Sequence, residues 1–160
     1  MRFQTLDQWL AWQESLNPRE IDLGLERVSR VLLQLGHHNQ FDCPLITVAG
    51  TNGKGSVVAL LEAVARAGGL STCSYTSPHL LRYNERIRIN GSMVDDDALC
   101  EVFERIDQAR GDALLTYFEF GTLAALAVFR FVWTLSVLRK AGSTCACVPT
   151  PPSPPAGSSS

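Results

Sequence analysis

The sequence predicts an α/β fold: a parallel sheet entered through a glycine-rich loop, preceded by two helices and cut short after its first crossover. Three observations carry that prediction. The apolar run Pro44-Leu-Ile-Thr-Val-Ala49 leads into a glycine loop from Gly50 to Ser56. A helix-forming stretch, Val57 to Ala67, then leads to a second apolar run, Leu70 to Tyr75. Strand, loop, helix, strand is the order of a parallel crossover unit. Finally, 46% hydrophobic and 19% charged residues in 160 suit a globular chain with one core.

Two amphipathic helices open the chain. Thr5 is placed to cap the first, with Leu6, Trp9, Leu10 and Leu16 on one face, and Asn17-Pro18 ends it. The second runs from about Asp22 to Leu35, carrying Leu25, Val28, Val31, Leu32 and Leu35 at helical spacing, and Gly36 stops it. Pro44–Ala49 reads as a short buried strand. Gly68-Gly69 ends the helix after the loop. Arg86-Ile-Arg-Ile-Asn90 alternates charged and apolar residues, the pattern of an exposed strand, and Asn90-Gly91 is a turn. Asp95-Asp96-Asp97 opens a helix reaching about Ala109, its carboxylates meeting the positive end of the helix dipole. Leu99, Val102, Phe103 and Ile106 form its buried face. A last buried helix is expected from Thr116 to about Phe129, followed by irregular chain.

Several function classes are disfavoured by composition. Fourteen basic against sixteen acidic residues give a net charge of 14 − 16 = −2, too little positive charge for a nucleic-acid binder. Cys43, Cys73, Cys100, Cys145 and Cys147 are odd in number and contain no CxxC pair, which points to reduced thiols in a cytoplasmic protein. Asp7 interrupts the place where a signal peptide needs an apolar run. Phe120 to Leu138 is 19 residues long, about a membrane span. Arg130 near its centre would cost roughly 2.5–3.5 kcal/mol there, so a buried helix is the favoured reading.

Gly50-Thr51-Asn52-Gly53-Lys54-Gly55-Ser56, between a strand and a helix, has the context of a phosphate loop. Glycines bring backbone N–H groups close to phosphate oxygens, and the helix N-terminus adds a partial positive charge. Lys54 supplies a full charge for the outer phosphates, and the Ser56 hydroxyl serves a phosphate or Mg²⁺. The match is imperfect, because Val48 stands where the first glycine would fall and Gly55 separates Lys54 from Ser56. The plain alternative is a glycine turn with an incidental lysine. Four defining residues in strand–helix context disfavour it. Ser77 follows the next strand and, in a parallel sheet, would lie on the same edge as Lys54. Read singly, the Ser77-Pro78 turn, His79 and the charged Asn84-Glu85-Arg86 are solvent-facing surface. The aromatic run Thr116-Tyr-Phe-Glu-Phe-Gly121 either walls a flat ligand or is simply core.

Taken in order, Ile21-Asp-Leu-Gly-Leu-Glu-Arg27, Val48-Ala-Gly-Thr-Asn-Gly-Lys-Gly-Ser56, Thr76-Ser-Pro-His-Leu80, Asn84-Glu-Arg-Ile87 and Thr116-Tyr-Phe-Glu-Phe-Gly-Thr122 resemble the bacterial dihydrofolate synthase/folylpolyglutamate synthase family. The related peptidoglycan-precursor ligases share the loop but usually follow its lysine with threonine. The resemblance covers roughly Leu6 to Phe129. It implies an incomplete N-terminal ATP-binding domain over 1–129, of the Mur-ligase-like central type. It implies an ATP- and Mg²⁺-dependent amide ligase joining L-glutamate to dihydropteroate or folylpolyglutamate through an acyl phosphate. By the same resemblance, Gly50, Thr51, Asn52, Gly53, Lys54, Gly55 and Ser56 hold ATP, and Ser77 binds the metal. Asp22, Leu23, Gly24 and Leu25, with Thr116, Tyr117, Phe118 and Glu119, contact the pteroate part.

After Phe129 the resemblance stops. Family members continue with a metal-binding Glu, a glycine-rich segment, a metal-binding His and a second domain. Here no acidic residue follows Glu119, and Ala141 onward is rich in Pro, Ser and Gly, a composition expected to be disordered. Residues 130–160 are therefore expected to be out-of-frame translation or a mispredicted gene end. Sequencing the encoding DNA tests this, since a shifted frame should restore the glycine-rich segment. The chain alone is expected to be inactive and prone to association through an exposed apolar edge. Two other readings stay open: a nucleotide-binding module without ligation, and a membrane-associated non-enzymatic fragment. No protein partner is implied.

Overall fold

A computed structural model describes residues 1–17, 25–36 and 43–140, with side chains described to residue 131. Helix α1 (Leu6–Leu16) begins as its sequence requires: the Thr5 hydroxyl accepts from the Gln8 N–H, and the Gln8 side chain accepts from the Thr5 N–H, a capping box. Helix α2 (Leu25–Gln34) buries Val31 and Leu32. Helix α3 (Lys54–Ala67) follows the glycine loop. Strand β1 (Cys73–Tyr75), a 3₁₀ turn over Tyr83–Arg86, strand β2 (Ile87–Ile89) and strand β3 (Ser92–Met93) come next. Helices α4 (Asp96–Arg110) and α5 (Tyr117–Lys140) close the described chain.

The core is mainly helical. Trp9, Phe103, Ile106, Leu115, Phe120 and Leu123 are fully buried where α1, α4 and α5 meet. Phe103 sits at the centre, with ring centroids 6.0 Å from Trp9, 5.8 Å from Tyr83 and 5.6 Å from Phe120. Tilted and edge-on pairs of this kind add to the area they bury. α4 has the expected buried face at Leu99, Phe103 and Ile106, with Cys100 added, and Asp95 caps it by accepting from the Ala98 N–H. Gln13 is the anomaly of the core. It is 1% exposed, and neither its amide nitrogen nor its oxygen has a hydrogen-bond partner.

The sheet departs from expectation. It has three strands in the order β1-β2-β3, and both pairings are antiparallel. Pro44–Ala49 forms no strand. Leu45 and Ile46 are mostly exposed there. A strand needs neighbours to satisfy its N–H and C=O groups, and none of the described segments pairs with this one. The parallel crossover is thus not formed. β1 is also shorter than the Leu70–Tyr75 run.

Asn90 (φ 51°) and Gly91 (φ 81°) make the expected tight turn between β2 and β3, both central residues having the positive φ that Asn-Gly accommodates. The segment entering β2 is not exposed as its alternation suggested. Ile87 is fully buried and Arg86 nearly so, because β2 is the middle strand and α5 packs on it. α5 also runs past Phe129 to Lys140 rather than becoming irregular. Residues 130–138 contain neither Gly nor Pro, so nothing local stops a helix before Gly142. Among the described residues, no helix is long and apolar enough to cross a membrane. Asp22, Leu23, Gly24 and the tail from Ala141 lie outside the described residues.

Candidate functional site

The glycine loop is built as a helix entrance. Gly53 has φ 77° and caps α3 without any side-chain hydrogen bond. Only glycine takes that left-handed geometry at no steric cost. The first N–H groups of α3 therefore face outward with no intrahelical acceptor, the arrangement that receives anions. Gly50, Thr51, Asn52, Gly53, Lys54, Gly55 and Ser56 are all exposed. The Lys54 ammonium folds back over the loop, donating to the Gly50 carbonyl at 2.6 Å and the Thr51 carbonyl at 3.0 Å. Those carbonyls hold it at the mouth of the loop, within a side chain's swing of the helix end.

Among the described residues, the Glu62 carboxylate makes the side-chain hydrogen bonds that tie α3 to the sheet. Glu62 accepts from the Thr72 hydroxyl (3.3 Å), the Ser74 hydroxyl (3.3 Å) and the Gly91 N–H (2.9 Å). Its role depends on a strand and a turn that lie far along the chain. Lys54 lies two turns before Glu62 on α3, and Ser77 lies two residues past the end of β1. Ser77 is exposed in the loop after β1.

The loop from Leu80 to Arg82 is closed by Glu85. Its carboxylate accepts the N–H groups of Leu80 (2.8 Å), Leu81 (2.9 Å) and Arg82 (2.8 Å). These bonds, that of Leu80 first, pull its pKa down to about 2. Neither Glu85 nor His79 is idle surface, as their isolated reading had it. The His79 Nδ1 accepts from Arg86 Nε at 2.9 Å, and its ring lies 5.8 Å from that of Tyr83.

At the start of α5, Thr116 and Glu119 form a second reciprocal cap. Glu119 accepts from the Thr116 N–H at 2.8 Å, and the Thr116 hydroxyl accepts from the Glu119 N–H at 3.2 Å. Glu119 also pairs with Arg27 of α2 at 3.0 Å. Thr116 and Glu119 are buried and committed to this cap. Phe118 is 53% exposed and Tyr117 half-buried, so these two rings are the open surface of the segment. Leu25 stands exposed at the start of α2, the helix that Arg27 ties to Glu119. Gly121 allows the close packing behind them: a Cβ there would lie 2.8 Å from the Tyr83 hydroxyl and 2.9 Å from that of Tyr75. Among the described residues, no group of three His, Cys, Asp or Glu is placed to hold a metal ion.

No family model matches the chain. Curated relatives do. The dihydrofolate synthase/folylpolyglutamate synthase of Escherichia coli K12 is 48% identical over 126 residues, 78% of this chain and 29% of the relative. That of Haemophilus influenzae is 45% identical over 127 residues, 78% of this chain and 28% of the relative. The chain therefore spans under a third of the length of these relatives. Solved structures agree. E. coli FolC in complex with DHPP and ADP superposes with TM-score 0.75 at 46% identity, over 81% of this chain and 31% of that one. The Yersinia pestis enzyme complexed with AMPPNP and Mn ion gives 0.74 at 47%, over 81% and 31%. The Lactobacillus casei folylpolyglutamate synthetase gives 0.72 at 33%, over 81% and 34%. With its motifs in order and its fold shared at that identity, the chain belongs to the dihydrofolate synthase/folylpolyglutamate synthase family and corresponds to its N-terminal part.

Proposed function

We propose that this chain is the nucleotide- and pteroate-binding first part of an ATP-dependent ligase that joins L-glutamate to dihydropteroate or to a folylpolyglutamate. The observation carrying this reading is the uncapped Gly53–α3 entrance with Lys54 beside it, in a chain 48% identical over 126 residues to such an enzyme. Residues 1–129 are read as the incomplete ATP-binding domain and 130–160 as foreign to it.

The chemistry follows from the weakness of a carboxylate as an acylating agent. A carboxylate oxygen of the pteroyl substrate attacks the γ-phosphorus of ATP, and ADP leaves with the electrons of the broken P–O bond. The glutamate amine then attacks the acyl carbon, inorganic phosphate leaves, and the amine proton passes to solvent. Gly50 to Ser56 bind the triphosphate through backbone N–H groups. Lys54, released from the Gly50 and Thr51 carbonyls, neutralises charge as the phosphoryl group moves. Phe118 and Tyr117 stack the flat pterin, and the exposed Leu25 covers its edge. Asp22, Leu23 and Gly24 belong to the same contact by resemblance. Ser77 would hold a Mg²⁺ ion, which would offset phosphate charge. A single hydroxyl fits that ion when the nucleotide's phosphates and water complete its shell.

Calorimetry with Mg-ATP tests the reading. The wild-type chain is expected to release binding heat, and Lys54→Ala to weaken binding at least about tenfold. A folded chain that gives no heat overturns the proposal. Phosphate release dependent on glutamate and dihydropteroate is expected to be absent, because the two-thirds of the family's length beyond this match supplies the rest of the site.

A further inference from the structure

Arg86 is a buried cation without an anion. It is 9% exposed, and no carboxylate among the described residues lies within ion-pairing distance of it. Arg110, whose side chain is 9% exposed, has Asp107 at 2.8 Å. The more exposed Arg2, Arg27 and Arg82 also have carboxylates. Three carboxylates of the surrounding segments, Glu85, Asp96 and Glu119, are otherwise engaged. Glu85 holds three backbone N–H groups. Asp96 holds Asn84 and Arg82, and Glu119 holds Arg27 and the Thr116 N–H.

The protein instead fixes the position of this guanidinium. Its Nε donates to His79 Nδ1 at 2.9 Å. Its Cζ lies 5.3 Å from the Tyr83 ring centre and 5.4 Å from that of Tyr117, two rings set at 86° to each other. Its backbone carbonyl accepts from the Thr76 N–H at 2.9 Å, which roots the Ser77 loop beside it. The His79 bond requires an unprotonated Nδ1, so the ring's other nitrogen carries the proton and is also a donor. The four N–H bonds on Nη1 and Nη2 have no acceptor among the described residues. A buried charge is costly unless paired, and a fork of parallel N–H donors matches the two oxygens of a carboxylate or phosphoryl group. Arg86 also sits between the loop bearing Ser77 and the α5 residue Tyr117.

We propose that Arg86, oriented by His79 and clamped between Tyr83 and Tyr117, is an oxyanion-binding site that receives the reacting carboxylate of the acyl substrate or the phosphoryl group it acquires. The site deepens the ligase reading and rests on it only for the identity of the anion. The anion binds through the guanidinium fork. His79 is a positioning residue, and the two tyrosine rings flank the guanidinium.

Side-chain ¹H–¹⁵N spectra of the arginine Nε–H groups test this on the chain as it is. Arg86→Lys, which keeps the charge and loses the fork, identifies the Arg86 resonance. Sodium benzoate and inorganic phosphate are titrated separately at constant ionic strength, with chloride as control. The Arg86 signal is expected to shift saturably with benzoate or with phosphate while that of Arg110 stays in place. Stronger binding of benzoate assigns the carboxylate, and stronger binding of phosphate the phosphoryl group. Arg86→Lys is expected to weaken that binding at least about tenfold, read on the Tyr117 backbone amide. Absence of a saturable Arg86 shift in the folded chain overturns the proposal, as does equal binding by Arg86→Lys. Mg-ATP heat measured on the same samples reports separately on the ligase reading, so either can fail alone.

Discussion

The helical core and the α3 lobe are held by different physics. Around Phe103, apolar side chains of three helices exclude water completely. α3 buries no residue at all, and Val57, Leu60, Leu61 and Val64 face solvent, as do Leu45 and Ile46. Its main attachment is the set of three hydrogen bonds to Glu62. The difference teaches that the glycine loop is mounted on the part of the molecule with the least buried apolar surface. The loop's geometry is local, set by the left-handed Gly53 at the start of α3. An apolar face of that extent is also the expected route to association.

The largest effect should come from the centre of the core. Phe103→Ala is expected to cost about 3–5 kcal/mol, and Leu60→Ala, on a side chain 65% exposed, no more than about 0.5 kcal/mol. Denaturant melts of the two variants check this. Equal losses would break the contrast between the regions.

Glu62→Ala should come next. It leaves the Thr72 and Ser74 hydroxyls and the Gly91 N–H without their acceptor, a loss of about 1–3 kcal/mol confined to the α3 attachment. Hydrogen exchange should accelerate along α3 and stay unchanged in α4. A uniform change in both would mean that α3 is part of the core after all.

Gln13→Leu acts in the opposite direction. Both polar atoms of Gln13 are buried without partners, so an apolar side chain of similar size should stabilise α1 against α4 and α5 by about 1 kcal/mol. A lowered melting temperature would show that the amide has a favourable role.

The smallest effect is a pH dependence at Glu85. Its pKa is lowered to about 2 by the N–H groups of Leu80, Arg82 and Leu81. A lowered carboxylate pKa stabilises the fold fully above the unfolded value, near 4.3. That contribution is lost as pH falls from there through about 2. Amide exchange of Leu80 to Arg82 followed over this range should lose protection, and Glu85→Gln should remove the pH dependence.

Local features were legible in the sequence. Thr5 caps α1, the Asp95 carboxylate caps α4 and Asn90-Gly91 turns the hairpin, whereas α3 begins at Lys54, three residues before the Val57 its composition suggested. The two caps and the turn each depend on residues within a few positions of one another, so side-chain chemistry and allowed φ angles determine them. The motif order was equally legible, since it needs no three-dimensional information. What the tertiary structure alone decided was partnership. Pro44–Ala49 has strand-forming residues but no strand, because pairing must come from elsewhere in a chain. Arg86 reads as a charge on an exposed edge and is buried, because the distant Tyr117 closes on it opposite its own neighbours Tyr83 and His79. Hydrogen-bond pairing and desolvation are set by whatever lies opposite in space, and adjacent residues carry no record of that.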